Sequence, residues 1–261
     1  MSWTLRILAG ILLLFLLAPV ILVFPISFSA DDFISWPPSG WSLRWYAALS
    51  NQPLMATAFV TSLGLAAIVT VISLAVAIPA ALAINRGRFW GRSALLTFLT
   101  APLLLPSIVL ALAILIVFVG NGLVGTWHGL ALGHLVLTTP YVLRIILTAL
   151  ETLPRGIEDA AASLGARPLT VFFRITLPLM VPGIVAASAL AFLVSFDEVV
   201  VSLFMVGPNL VTLPVALFRY VEGSTDPLVA AVSALLILGT LAMVLVIERA
   251  IGLRTAVGKS A

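Results

Sequence analysis

Six long apolar runs, separated by short polar segments, dominate this 261-residue sequence. A helix that crosses the hydrocarbon core of a bilayer needs about 20 mostly apolar residues. Each run meets that length, and a lipid interior admits only segments that satisfy their own backbone hydrogen bonds. The sequence therefore predicts an all-α integral membrane protein forming one domain over 1–261, with spans at about 6–28, 57–85, 94–119, 129–150, 178–206 and 228–251.

The composition supports a membrane domain and excludes several other classes of protein. Hydrophobic residues make up 62% of the chain and charged residues 9%, whereas a soluble domain has about 45–50% and about 25%. The absence of cysteine excludes disulfides, thiolate metal sites and cysteine nucleophiles. The net charge of +3 does not indicate nucleic-acid binding, because the basic residues lie between apolar runs, where membrane topology accounts for them.

The first run begins like a secretory signal peptide, since Arg6 precedes its apolar core. That core continues from Ile7 to Phe28, which is longer than the apolar region of a signal peptide. The exit sequence also starts with a bulky Phe28 where a cleavage site requires a small residue. We expect the first helix to be retained.

The basic residues predict which side of the membrane each loop faces. Ten of the 13 Lys and Arg residues precede span one, lie in the loops after spans two and four, or follow span six. Because Lys- and Arg-rich loops stay in the cytoplasm, both termini and the 86–93 and 151–177 loops are predicted to be cytoplasmic, in an inner-membrane protein. The 29–56 loop then lies outside, and its aromatic residues fit an interfacial belt: Trp36, Trp41, Trp45 and Tyr46.

The 154–183 segment has the most informative pattern in the sequence. Apolar residues recur at helical spacing in Ile157, Ala160 or Ala161, and Leu164. The acids of this helix occupy its first turn, where they complement the helix dipole, and a glycine follows as a C-terminal stop. A short helix with a narrow alanine face fits a groove on another protein. An ordinary interfacial amphipathic helix is the alternative.

This segment resembles the EAA loop of permeases of ATP-binding-cassette importers. The family pattern is Glu-Ala-Ala, three residues, Gly, nine residues, Ile, one residue and Leu-Pro. The chain keeps every interval, with Asp159-Ala160-Ala161, Gly165, Ile175 and Leu177-Pro178. Asp159 replaces the family's Glu, which keeps the charge but shortens its reach, and Glu158 directly before it offers a second acid.

The resemblance implies the type I importer permease fold with a coupling helix within about 154–178. In the family this helix docks in a cleft of a cytoplasmic ATPase and transmits its motion to the membrane helices. The residues assigned to coupling are Glu158, Asp159, Ala160, Ala161 and Gly165. The implied partners are an ATPase dimer that binds ATP and Mg, a second permease subunit of different sequence, and an extracytoplasmic substrate-binding protein. No enzymatic activity or cofactor is expected on this chain.

The C-terminal Gly252 to Ser260 stretch imitates a phosphate-binding loop. Five residues separate its glycines where four are required, and no strand precedes it. The sequence also offers no nucleophile–base pair and no metal cluster, since His134 has no second ligand at metal-binding spacing. We therefore expect neither a catalytic site, a metal site nor a nucleotide site.

Span five contains two adjacent acids, Asp197 and Glu198. A carboxylate in mid-membrane costs about 2.5–3.5 kcal/mol on insertion scales and is functional by default. On a continuous helix, Glu198 shares a stripe with Ser188, Ser195 and Ser202. Three interpretations remain open: a cation site, an ion pair with Arg144 or a partner's base, and a position at the outer mouth.

The stretch Ser195 to Val201, together with Thr212-Leu213-Pro214 and the 226–233 run, resembles the spermidine/putrescine permease branch. Acids at these positions contribute to polyamine passage in that branch, so the resemblance implies a polyamine substrate. Trp45-Tyr46 matches the branch's Trp-Tyr and offers cation–π contacts or interfacial anchoring. The predicted substrate path consists of Asp197, Glu198, Ser195, Trp45 and Tyr46.

Two alternative functions remain open at the level of the sequence. The same importer architecture carries other cationic or small organic solutes, and the sequence does not rank putrescine against spermidine. A proton-coupled secondary transporter would use Glu198 and His134 as a relay. Such a transporter usually shows internal repeats and matching broken helices, and the sequence shows neither.

Overall fold

The protein was analysed as a computed structural model, which describes residues 3–251. Its α-helices are α1 (Trp3–Ser27), α2 (Arg44–Leu49), α3 (Pro53–Arg86), α4 (Arg92–Thr100), α5 (Ser107–Val119), α6 (Trp127–Glu151), α7 (Arg155–Ser163), α8 (Pro168–Val171), α9 (Leu177–Phe196), α10 (Val200–Met205), α11 (Leu213–Gly223) and α12 (Leu228–Ile251). A 3₁₀ turn (Ala101–Leu104) follows α4, and a π-helical turn (Phe172–Thr176) joins α8 to α9. Within the described range, β pairing is limited to two isolated bridges.

Five of the described helical segments are long and apolar enough to cross a membrane. They are Trp3–Ser27, Pro53–Arg86, Trp127–Glu151, Pro168–Phe196 and Leu228–Val246. A sixth crossing results if α4, with its 3₁₀ turn, and α5 together form one broken span. The described chain is therefore an all-α membrane protein with five to six apolar helices.

The third apolar run is bent rather than straight. Its two helical segments, Arg92–Leu104 and Ser107–Val119, meet at 107°. Leu105 between them is extended, with φ −91° and ψ 139°. Pro106 explains this geometry, because a residue before proline is excluded from the helical region and proline itself has no N–H to donate. The helix predicted at 94–119 is thus interrupted at Leu105 and Pro106.

The fifth apolar run starts earlier than its predicted boundary at 178. Helix continues without a gap from Pro168 to Phe196, through the π-helical turn. Pro178 lacks the N–H that would bond the carbonyl four residues earlier, at Arg174. A π-helical turn just before the proline widens the helix there and accommodates the missing bond.

The described chain divides into two compact units, and the first comprises residues 3–57 and 216–246. Its 28–43 loop is cross-linked by an antiparallel bridge between Ser29 and Trp41. Within this loop, hydrogen bonds from Ser35, Ser39 and Ser29 hold the pKa of Asp31 well below its ordinary value. These bonds therefore stabilise the loop above the ordinary carboxyl pKa, and their contribution is lost as the pH falls to the lowered value.

The second unit, which comprises residues 58–215 and 247–251 of the described chain, contains two buried apolar clusters. One joins α3, α6 and α9 around Ile146, Leu150 and Met180. The helices α6 and α9 approach very closely, since a Cβ added at Gly183 would lie 2.4 Å from the Cβ of Ala149. The other cluster joins α3, α5, α6 and α10, with Leu65, Leu130 and Met205 fully buried. These helices position both segments described next.

Candidate functional site

The helix α7 and the turn that ends it lie where the sequence predicted a short helix with a glycine stop. Gly165 has a φ of +84°, in the left-handed region that favours glycine. Its N–H donates to the carbonyl of Ala162 at 2.9 Å, and the N–H of Ala166 donates to that of Ala161 at 3.1 Å. These two bonds form a Schellman motif, which fixes how the chain leaves the helix.

The two acids of α7 have different surroundings. Glu158 is half-buried, and its Oε2 lies 3.1 Å from Nε of Arg86. Its other oxygen, Oε1, accepts a hydrogen bond from Oγ1 of Thr176 at 2.8 Å. Asp159 and Ala160 are exposed instead. Glu158 therefore contacts its own chain, whereas Asp159 and Ala160 are accessible to a partner.

Apolar side chains beside α7 are exposed in this chain. Leu164, directly before the glycine turn, is 90% exposed, and Leu169 is 72% exposed. Ile157, on α7 itself, is also exposed. Neither Ile157 nor Leu164 lies in a membrane-spanning helix. Ile157 and Leu164 are seven residues apart and so lie on one side of a helix, where they offer apolar surface outside the spans to a partner.

The acid pair lies in a break between two helices. The helix α9 ends at Phe196, and α10 begins at Val200. Oε1 of Glu198 accepts a hydrogen bond from the N–H of Val201 at 2.9 Å, so this acid turns back onto the first turn of α10. Carboxylates are favourable at a helix N-terminus and unfavourable at a C-terminus, which is consistent with a break at this point.

This break corrects two parts of the sequence interpretation. The stripe of Ser188, Ser195, Glu198 and Ser202 presumed one continuous helix, and the chain leaves helical geometry at residues 197–199. The proposed ion pair with Arg144 is absent, because within residues 3–251 neither acid has a basic group within 4.0 Å. Asp197 is exposed and Glu198 half-buried.

His134 connects the two sides of this break. Its Nδ1 is 2.9 Å from Oγ of Ser195 at the end of α9, and its Nε2 is 2.9 Å from Oγ of Ser202 in α10. All three side chains are buried, with Ser195 only 2% exposed. A neutral imidazole donates from one nitrogen and accepts at the other, which matches two hydroxyl partners. His134 therefore links the end of α9 to α10 across the break that contains the acid pair.

The aromatic pair Trp45 and Tyr46 belongs to the first compact unit and is engaged in contacts there. The Tyr46 hydroxyl is 2.7 Å from Oγ of Ser27, and its ring lies 5.2 Å from the ring of Phe28. The guanidinium of Arg44 lies 4.6 Å above the Trp45 ring. One face of the Trp45 ring is therefore occupied by an arginine of this chain.

Sequence reasoning missed the residues that fix both segments. It assigned no role to Arg86 or Thr176, which hold Glu158, and it did not connect His134 with the serines. The signal for His134 was available, since a buried imidazole requires two hydrogen-bonding partners. Among residues 3–251, no group of three His, Asp or Glu side chains could hold a metal. The C-terminal glycine stretch, 252–260, lies outside the described residues.

The family described as "Binding-protein-dependent transport system inner membrane component" matches residues 73–250, which include α7, His134 and the acid pair. The chain belongs to this family. It is the permease component of an ATP-binding-cassette importer, an integral membrane transport component rather than an enzyme.

Curated relatives place the chain near polyamine permeases. The putrescine transport system permease protein PotI of Escherichia coli is 36% identical over 242 residues, covering 88% of this chain and 84% of that protein. The spermidine/putrescine transport system permease protein PotC of Haemophilus influenzae is 33% identical, covering 88% and 89%. The molybdenum transport system permease protein ModB of Mycobacterium bovis is also 33% identical, covering 84% and 86%. The resemblance to the polyamine branch of importer permeases is confirmed.

A solved structure confirms the predicted fold class. A chain of a bacterial ABC transporter involved in the import of the acidic polysaccharide alginate superimposes with a TM-score of 0.69. The match covers 98% of this chain and 95% of that chain at 16% sequence identity. Such a likeness shows the fold alone, which is the predicted importer permease fold.

Proposed function

We propose that this chain is the permease subunit of a polyamine importer that moves putrescine or spermidine into the cytoplasm. In this proposal both termini and α7 are cytoplasmic, and a separate ATPase dimer that binds ATP and Mg drives alternating access. A second permease subunit of different sequence and an extracytoplasmic substrate-binding protein complete the complex. Family membership and the exposed surface of α7 support this assembly.

The ATPase contacts in this proposal are Asp159, Ala160, Ala161 and Gly165. Asp159 and Ala160 are exposed. A Cβ added at Gly165 would meet open space, with no described residue beyond its chain neighbours within 4 Å. The exposed Leu164 adds apolar surface of the kind that a helix buries in a groove. Glu158 belongs to the same segment, but its carboxylate contacts this chain.

The observation that carries the polyamine assignment is an acid pair without a basic partner in the described part of the chain. Both acids directly follow the apolar helix Pro168–Phe196, at one end of a candidate span. Two adjacent carboxylates repel each other, and a polycation offers compensating charge. Asp197 and Glu198 are the proposed contacts, together with Ser195, whose hydroxyl is held by His134 at the end of α9. Trp45 and Tyr46 remain part of the proposal as an outer aromatic surface, where an ammonium group would take the place of Arg44 over Trp45.

ModB shows that the architecture also serves cargo other than polyamines. The acid pair favours a cation over an anion, because two uncompensated carboxylates repel negative charge. Another cationic or small organic solute is therefore the second candidate.

The test of this function is uptake of labelled putrescine and spermidine by the source cells with this gene intact and deleted. We expect deletion of the gene to lower the uptake of labelled putrescine or spermidine, and a copy of the gene to restore it. Unchanged uptake, after redundant importers are removed, would contradict the polyamine assignment and leave the family assignment intact.

Neutralising both acids, with Asp197→Asn and Glu198→Gln, is expected to lower polyamine uptake at least about tenfold. Hydrogen bonds to charged groups contribute about 1.5–3 kcal/mol each, and about 1.4 kcal/mol corresponds to a factor of ten in affinity. Uptake is measured at matched membrane levels of the protein. The control is Glu222→Gln, since Glu222 is also exposed and carries the same charge. Normal uptake by the double variant would remove both acids from the path.

A further inference from the structure

We propose that Glu158 is a positioning residue that clamps α7 to two membrane helices and makes no contact with the ATPase. This inference rests on the proposed function, in which α7 is the helix that couples to the ATPase. It separates two neighbouring acids by role: Glu158 holds α7 to its own chain, and Asp159 faces the partner.

The clamp is a single carboxylate that uses both of its oxygens. Oε2 of Glu158 lies 3.1 Å from Nε of Arg86, which is the last residue of α3. Oε1 accepts the hydrogen bond of Thr176, the last residue of the π-helical turn that leads into α9. Three elements therefore meet at one side chain.

The three groups are withdrawn from solvent to different degrees. The side chains of Arg86 and Glu158 are 22% and 21% exposed, and Thr176 is buried. An ion pair at this depth is screened less by salt than a surface pair. The contact with Arg86 is an ion pair without hydrogen-bond geometry, whereas Thr176 donates a hydrogen bond to the carboxylate. Two partners on two different oxygens restrict the direction of the Glu158 side chain more than either contact alone.

The backbone connections of α7 are short loops. Residues 152–154 lead into α7 from α6, and residues 164–167 lead out of it through the left-handed Gly165. Such loops can absorb a displacement of α7 by changing their dihedral angles. The clamp bypasses them, because it ties α7 directly to the ends of α3 and α9. A push on α7 thus displaces both membrane helices.

The position of Thr176 strengthens this inference. Single π-helical turns are rare in proteins, because they interrupt the regular hydrogen-bond ladder. Those that do occur are often found at functional sites. Here the turn stands between the segment proposed to meet the ATPase and the helix that ends at the acid pair. The hydrogen bond from Thr176 to Glu158 therefore stabilises the end of the π-helical turn in one conformation.

The test uses the complete complex in lipid nanodiscs, with the ATPase and the substrate-binding protein present. The chain has no native cysteine, so Val199→Cys supplies a unique thiol on it in the break after α9, at a residue outside the proposed substrate contacts. Two quantities are measured in the same preparation: the rate of ATP hydrolysis, and the change in maleimide labelling of this thiol on this chain when ATP is added. Neither quantity requires knowledge of the substrate.

We expect the Glu158→Gln complex to retain the ATPase and to hydrolyse ATP at a rate within about twofold of the parent. The ATP-dependent change in labelling should fall about tenfold, which is the size of effect expected when a typical coupling free energy is lost. Thr176→Val should act in the same direction, and Thr176→Ser, which keeps the hydroxyl, should not. Exchanging the charges in Arg86→Glu/Glu158→Arg should restore the labelling change. The matched controls are Glu151→Gln and Arg88→Gln, since both residues are exposed.

Several outcomes would overturn the clamp. If Glu158→Gln fails to co-purify with the ATPase while remaining folded, Glu158 is a contact to that partner. If the Glu158→Gln complex keeps the ATP-dependent change in labelling, Glu158 does not couple α7 to α9. The same conclusion holds if the parent complex hydrolyses ATP without any change in labelling. If Glu158→Gln does not fold, Thr176→Val and Thr176→Ser are compared instead, with the same measurements of ATP hydrolysis and labelling. Failure of any ATPase to co-purify with the unsubstituted chain would instead overturn the proposed function.

Discussion

Gly165→Val is expected to abolish ATP-driven uptake while the permease remains folded and inserted in the membrane. Gly165 has a φ of +84°, and left-handed geometry costs a residue with a Cβ about 1–2 kcal/mol. A β-branched side chain is disfavoured further. Valine should therefore shift the backbone, break the two Schellman bonds and redirect the exposed Leu164. Apart from the two residues adjacent to Gly165 in the chain, no described residue has an atom within 4 Å of the added Cβ, so the side chain itself meets open space.

The matched control is Gly165→Asn, because asparagine tolerates the left-handed conformation better than other side chains. We expect Asn to retain most of the uptake that Val loses. Uptake in vesicles and the yield of monodisperse permease in detergent are measured for both variants. Undiminished uptake with Val would contradict a coupling role for this turn, and equal loss with Asn would attribute the effect to the side chain meeting the partner.

Gly183→Leu is expected to prevent accumulation of folded permease, and Gly183→Ala to lower its stability. A Cβ at Gly183 would lie 2.4 Å from the Cβ of Ala149, well inside contact distance, where α6 packs on α9. Inserting even one extra methylene into a packed core costs about 1–3 kcal/mol. The larger leucine requires the two helices to separate, which would expose the cluster around Ile146 and Met180.

A second substitution tests this explanation. In Gly183→Ala/Ala149→Gly the methyl group moves from one helix to the other, so the volume at the crossing is preserved. We expect the double variant to recover most of the thermal stability lost by Gly183→Ala alone, as measured by the unfolding temperature in detergent. If the two destabilisations simply add, the contact between these residues is not the cause.

The sequence predicted an all-α membrane fold because membrane spans depend on length and hydropathy, which are local properties. The structure has five to six apolar helices where six spans were expected. The sequence also located α7 and the Gly165 turn, since both depend on short-range spacing. It did not predict the break at residues 197–199. The apolar run continues through that break to Met205, and hydropathy carries no information on where the backbone leaves helical geometry.

The clamp at Glu158 was out of reach for a different reason. Arg86 and Glu158 are far apart in the sequence, and their pairing depends on how α3 and α7 pack. Adjacent acids on a helix point about 100° apart. The pattern alone therefore gave both Glu158 and Asp159 the same role, and only the side-chain directions separate them.

The π-helical turn at Phe172–Thr176 also sets the rotational phase of the helix that contains it. Such a turn holds one residue more than an α-helical turn, so everything before it is rotated by about 100° relative to an uninterrupted helix. Removing one residue from the turn would restore regular geometry and swing Leu169 and the α7 connection to another side of α9. The register between the segment proposed to meet the ATPase and the transmembrane segment is thus encoded by a single extra residue.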